Sequence, residues 1–220
     1  MTIFNMGWLK QTAILSCLLW LAVWDLQAQT SVGFRGGVSQ SSVSYRPQIA
    51  SVSYKVPGIS TPTYSLVVEQ FFAKNAGAQI EFQWLTTGYT GTDTLNTGNE
   101  TRFDYIKVPL LSNFYLGNSG RFHIKMGPHF GYLLNAEDVT RVREGDLLIP
   151  TYGQPGDDPK KFMYGLTAGV GVSKLFGKST LQAEVRYSYE FGRPESQSRI
   201  FDIHFNNLEI TLAYLFQVLK

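Results

Sequence analysis

The segment Leu208-Glu209-Ile210-Thr211-Leu212-Ala213-Tyr214-Leu215-Phe216-Gln217-Val218 alternates in polarity. Leu208, Ile210, Leu212, Tyr214, Phe216 and Val218 fall on one parity. Glu209, Thr211, Ala213, Leu215 and Gln217 fall on the other. On a helix, apolar residues at every second position would spread round the axis; on a strand they fill one face. One step upstream, Leu181, Ala183, Val185, Tyr187, Tyr189 and Phe191 alternate with Gln182, Glu184, Arg186, Ser188 and Glu190. Six further runs follow the rule, starting at Val32, Tyr64, Ala78, Ile106, Phe122 and Phe162. Most approach the roughly 9–11 residues that a tilted membrane-spanning strand requires.

The connections set the topology. Lys74-Asn75-Ala76-Gly77, Gly117-Asn118-Ser119-Gly120 and Phe176-Gly177-Lys178-Ser179 have the composition of tight turns. The other connections, about 41–62, 86–100, 135–160 and 193–206, are long and polar. Short and long therefore alternate. In an up-and-down barrel this sends every short turn to one rim and every long loop to the other, with both chain ends at the short-turn rim. A Greek-key sandwich has no reason to alternate in this way.

Period alone does not say which face of the strands meets water, because a soluble ligand-binding barrel has the same period with its apolar face inward. Charged residues make up 16% of the chain, against about 25% in a typical soluble domain. The polar parity is small, Gly-rich and carries scattered charges of both signs, as a barrel interior needs. Aromatics near strand ends (Tyr64, Phe72, Trp84, Phe103, Tyr105, Tyr187, Tyr189, Phe191, Tyr214 and Phe216) resemble interfacial girdles. These features put lipid outside. The fold expected is an all-β, eight-stranded antiparallel up-and-down transmembrane barrel.

Residues 1–28 are expected to be a cleaved signal peptide, with residues 29–220 forming the barrel domain. Lys10 precedes an apolar run from Ala13 to Trp24, short of the ~20 residues a spanning helix needs, and Ala28 suits a peptidase cut before Gln29. The apolar run continues past Cys17, which argues against a lipoprotein site there. Export of this kind, followed by a barrel, implies a Gram-negative outer membrane. A formal charge of +2 without any Lys/Arg-rich run points away from nucleic acid.

Four local sequences carry a family resemblance. Asp104-Tyr105-Ile106-Lys107-Val108-Pro109-Leu110-Leu111 is similar to the Tyr-Ile-x-Ile-Pro-Leu-Leu run of the PorT-like outer-membrane barrel proteins of Bacteroidota. Gly127-Pro128-His129-Phe130-Gly131-Tyr132-Leu133-Leu134 resembles their Gly-Pro-Tyr-Phe-Gly-Tyr-Leu-Leu strand, with His129 replacing an aromatic. Phe34-Arg35-Gly36-Gly37-Val38 and Val185-Arg186-Tyr187-Ser188-Tyr189 resemble the first and seventh strands. The resemblance implies an eight-stranded outer-membrane barrel without accepted catalytic residues. The founding member's association with type IX secretion and gliding motility is not carried over.

On this parity the inward charges are Arg35, Lys107, Lys125 and Arg186 against Glu69, Glu81, Glu184, Glu190 and Glu209. Their signs nearly balance, so a solvated ion-pair network that plugs and stiffens the lumen is expected. A narrow ion path is the alternative, and an interior just wide enough for side chains argues against it. No catalytic, cofactor or metal site is expected. His123 and His129 lie on one strand face roughly 20 Å apart and cannot share a metal, and His204 stands alone near the last connection. The alternative of a lipid-modifying enzyme would use Ser196, Ser198, Asp202 and His204, but no Gly-x-Ser-x-Gly elbow surrounds them. The alternative of an adhesion or secretion component would use the 135–160 connection, where Arg141, Arg143, Glu144, Asp146, Asp157 and Asp158 mix with Leu147, Leu148 and Ile149. The partners expected are outer-membrane lipid, periplasmic chaperones, the barrel-assembly machinery and a protein bound by the extracellular loops.

Overall fold

The computed structural model describes residues 29–47, 54–92, 98–140, 152–153, 155, 159–191 and 201–219. The expected signal peptide, and with it Cys17, lies outside the described residues. So do all six charges picked out in the 135–160 connection, Arg141, Arg143, Glu144, Asp146, Asp157 and Asp158.

Every regular element among the described residues is a strand: β1 (Thr30–Pro47), β2 (Tyr54–Ala73), β3 (Ala76–Thr92), β4 (Gly98–Gly117), β5 (Gly120–Thr140), β6 (Phe162–Phe176), β7 (Ser179–Glu190) and β8 (Phe201–Leu219). Each pairs antiparallel with the next, and β8 closes on β1. The three tight turns expected from sequence are present, and Gly177 takes the left-handed φ of 62° that a two-residue hairpin favours. Thr30 pairs with both Gln70 and Leu219, so the start of β1 and the end of β8 lie at the short-turn rim.

The register fixes the barrel's shape. From Gly36 it runs through Tyr64 and Trp84 to Ile106; in the other direction it runs through Leu212, Ala183, Val172 and Phe122 to Leu116. The ladder thus closes with a shear of about ten residues, which for eight strands gives a tilt of roughly 40–45°. Each residue then climbs about 2.4 Å along the barrel axis.

Burial inverts the usual order. Lys107, Lys125, Glu81 and Glu209 are fully buried, whereas Ile210, Leu212 and Leu116 are more than 60% exposed. In water this surface would be unstable; against hydrocarbon it is the low-energy arrangement. On β4 the outward apolar band runs from Ile106 to Leu116, about 24 Å of height, which matches the hydrocarbon band of an outer-membrane barrel. Residues 29–220 contain a single tryptophan, Trp84, which faces outward at the upper edge of this band. Its emission is expected to be quenched in vesicles of acyl-brominated lipid and left unchanged by aqueous iodide. The reverse pattern would place water on this face.

Two differences from the sequence expectation share one cause. The strands continue well into segments expected to be loops: β1 reaches Pro47, β2 begins at Tyr54, and β3 and β4 extend to Thr92 and from Gly98. Phe103 and Tyr105, expected in the outer girdle, are buried inside. Above the lipid band the two faces exchange character. Outward Val38, Trp84 and Ile106 give way to Gln40, Thr86 and Asp104, while inward Glu81, Lys107 and Glu209 give way to Leu85, Tyr105 and Phe205. A section of wall with a water-compatible exterior and an apolar core thus stands on the membrane section.

Candidate functional site

The lumen is the site where the chain concentrates its polar chemistry, and it is filled in three tiers. All nine charged residues expected to point inward are there, each 4% exposed or less.

The tier at the short-turn rim is built on Tyr115. The Arg121 guanidinium lies 4.4 Å from the Tyr115 ring centroid and 5.4 Å from that of Phe71. The Tyr115 hydroxyl donates to Glu69, and Asn113 Nδ2 donates to Glu69 Oε1 at 2.6 Å. A cation on two ring faces closes this end without leaving a bare charge.

The middle tier is a closed set of ion pairs. Arg186 donates to both oxygens of Glu81, at 2.9 and 3.1 Å, and through Nε to Glu184 Oε1 at 2.8 Å. Arg35 approaches the same two carboxylates at 3.0 and 3.4 Å. Lys125 Nζ is 3.2 Å from Glu184 Oε2 and donates to Gln79 and Gln182. The planar fork of Arg186 suits a carboxylate held on a facing strand. Above it, Lys107 donates to Ser188 at 2.8 Å and lies 3.6 Å from Glu209, while Glu190 accepts from Asn207.

The two inward histidines sit at different heights. His123 Nε2 is 3.3 Å from Glu184 Oε2, and His129 Nδ1 is 2.8 Å from Thr167 Oγ1. Three large inward side chains of β5 face glycines on β6: His123 opposes Gly171, Lys125 opposes Gly169 and His129 opposes Gly165. A Cβ on Gly171 would lie 2.6 Å from His123 Nε2 and 2.3 Å from the Ala183 carbonyl oxygen, so the histidine ring takes the room a side chain would need. His204, on β8, is outward: its ring stacks on Tyr189 at 5.9 Å. Ser196 and Ser198 lie outside the described residues, as does the Asp202 side chain.

The outer tier is apolar. Phe103 stands at its centre, with ring centroids 5.3 Å from Phe205, 6.3 Å from Tyr89 and 4.7 Å from Tyr152. Tyr152 belongs to the connection between β5 and β6. Its backbone N donates to Asp138 Oδ2 at 3.2 Å, and its carbonyl accepts from the Asp138 N–H at 3.1 Å. Thr101 Oγ1 holds the other Asp138 oxygen at 2.8 Å. This tier was missed from sequence. The signal for it is the exchange of parity: apolar Val43, Ile59, Leu85 and Leu133 occupy positions that carry polar residues lower on the same strands.

Residues 27–193 match the family described as Outer membrane protein beta-barrel domain. The chain belongs to this family. It is accordingly a protein of the outer membrane, as the lipid-facing band requires. No curated protein matches this outer-membrane barrel in sequence. Among solved structures it is similar to the outer membrane protein OprG from Pseudomonas aeruginosa, with 13% identity and a TM-score of 0.53, over 88% of this chain and 100% of that one. It also matches Neisserial surface protein A, with 10% identity and a TM-score of 0.47, over 86% of this chain and 98% of the other. At such identities the likeness to OprG shows the shared barrel fold.

Proposed function

We propose that this protein is a non-enzymatic, non-conducting barrel of the PorT-like type, a rigid outer-membrane mount that presents its extracellular wall and connections to a protein partner. The observation that carries this reading is the filled lumen. Ion pairs occupy the membrane section, an arginine on two rings closes one end, and an apolar cluster occupies the other. Among the described residues, the nine inward charges are each 4% exposed or less, which argues against an open aqueous path. Charges in such a network act through fixed partners and stiffen the wall. The PorT-like assignment rests on the Tyr105–Leu111 and Gly127–Leu134 segments. On this reading the chain reaches its membrane through periplasmic chaperones and the barrel-assembly machinery, touching lipid on its outer face and no nucleic acid.

The test has two arms. Purified barrel in planar bilayers is expected to give no discrete channel openings; steady single-channel currents would overturn the non-conducting reading. Deleting the gene is expected to change the surface proteome or protein secretion. An unchanged surface, together with altered lipid A that is restored by the wild-type chain but not by a His204→Ala variant, would replace the mount with an enzyme.

A further inference from the structure

The short-turn rim carries charge of one sign. Lys74 lies in the turn between β2 and β3, Arg121 at the start of β5, Lys174 near the end of β6 and Lys178 in the turn that follows. No Asp or Glu occurs in the stretches 70–78, 114–123 and 172–181 that form these hairpin ends. All three turns belong to the described residues, and the three lysines are exposed. In an outer-membrane barrel the short turns face the periplasm.

Arg121 differs from the lysines. Its side chain is on the inward parity, half-buried within the mouth, and the rings of Tyr115 and Phe71 hold its guanidinium. Rings stabilise the cation but offer its N–H groups no oxygen. Among the described residues the Arg121 side chain makes no hydrogen bond or ion pair, and its Nε is enclosed without a partner. Glu69, the carboxylate of this tier, accepts instead from Tyr115, Asn113 and Gln182, deeper in the barrel. Arg35 and Arg186, by contrast, each grip Glu81 and Glu184.

A second group at the mouth is unsatisfied as well. Ser173 is the partner of Arg121 in the β5–β6 ladder, faces inward and is 5% exposed. Its Oγ has no hydrogen-bond partner among the described residues. A buried hydroxyl beside an unpaired guanidinium is costly unless something brings oxygen acceptors to both.

We propose that the periplasmic mouth binds an oxoanion of the phosphate class, held by the Arg121 fork and capped by the Ser173 hydroxyl. The planar fork suits two phosphate oxygens, and a third accepts from Ser173. The rim lysines, with no carboxylate among them, draw such anions in and favour a doubly charged phosphate over a carboxylate. The phosphate comes either free from the periplasm or on the headgroup of an inner-leaflet lipid. Headgroups lie at the level of Lys174, which follows outward Val172 on the same parity at the lower edge of the apolar band. The site goes beyond the mount reading: it gives the barrel a ligand at its periplasmic end and leaves the lumen closed above it.

The test follows the Arg121 Nε–H resonance of the folded chain in maltoside micelles, which carry no phosphate. The signal is identified by its loss in Arg121→Lys. One arm titrates inorganic phosphate against sodium chloride of matched ionic strength. The other adds phosphatidic acid to the micelles without free phosphate. A saturable shift is expected in at least one arm, and the arm that gives it identifies the source. Ser173→Ala should weaken binding by about three- to ten-fold, the usual effect of losing one neutral hydrogen bond. Heat-modifiable gel mobility checks that this variant is folded. Saturation in neither arm would overturn the proposal. So would a response that chloride reproduces, or one that Ser173→Ala leaves unchanged.

Discussion

Arg186→Met is expected to destabilise the folded barrel by about 3–5 kcal/mol, the usual consequence of removing one partner from a buried ion pair. Arg186 holds Glu81 through two parallel bonds and Glu184 through a third, all fully enclosed. Among the fully buried charges, Arg35, Lys107, Lys125 and Arg186 stand against Glu69, Glu81, Glu184, Glu190 and Glu209, one carboxylate in excess, with half-buried Arg121 at the rim beyond them. Losing Arg186 widens the excess and leaves Arg35 as the one arginine reaching Glu81. Arg186→Lys should be less costly, because it keeps the charge and loses the fork. Adding Glu81→Gln to Arg186→Met should recover part of the loss, since the stranded charge is removed with its partner. Reversible urea unfolding in micelles, followed by Trp84 emission, measures all three. A single variant within about 1 kcal/mol of wild type, or a double variant whose losses simply add, would mean that the network is not coupled as its geometry requires.

The same comparison of partners explains what could be seen from sequence. The membrane section was legible because it keeps one rule along its whole height: apolar out, polar in. Leu181 to Glu190 on β7 obeys it without interruption, Leu208 to Val218 on β8 departs from it only at inward Ala213 and Leu215, and the hairpin at Gly177 joins β7 to β6 as its composition demands. The inward charges followed from parity alone. Their pairing did not, because Arg186 and Glu81 are distant in sequence and meet only through the shear of the closed ladder. The outer section was illegible for a different reason. From Gln40 on β1 and at Ser60 on β2, polar residues stand on the outward parity and Val43 and Ile59 on the inward one. Alternation continues, but its sign reverses where the solvent changes from hydrocarbon to water. Read with a single sign, such a segment looks like a mixed polar loop. Tyr152 was beyond reach in a further way, since no periodicity places a ring carried by an irregular connection.

The change of solvent along one strand yields the second large prediction. Leu212→Arg is expected to cost about 2–4 kcal/mol, and Gln40→Arg about 0–1 kcal/mol, although both replace an outward residue on neighbouring strands. Leu212 is 62% exposed near mid-height of the apolar band, flanked by Gly36 and Ala183, with hydrocarbon as its only solvent. An arginine there must carry its charge into the lipid or bend toward a distant interface. Gln40 lies just above the band, where the outward face is already polar and a guanidinium reaches headgroups and water. Folding free energies from the same reversible unfolding in lipid vesicles give the difference. Equal costs at the two positions would mean that both meet the same medium, and the exchange of faces between the membrane section and the wall above it would lose its physical basis. A large cost at Gln40 with none at Leu212 would instead move the lipid band outward over the extracellular wall. The outward rings of Phe130, Phe162, Tyr164 and Phe191 would then lie in mid-membrane rather than at its edge.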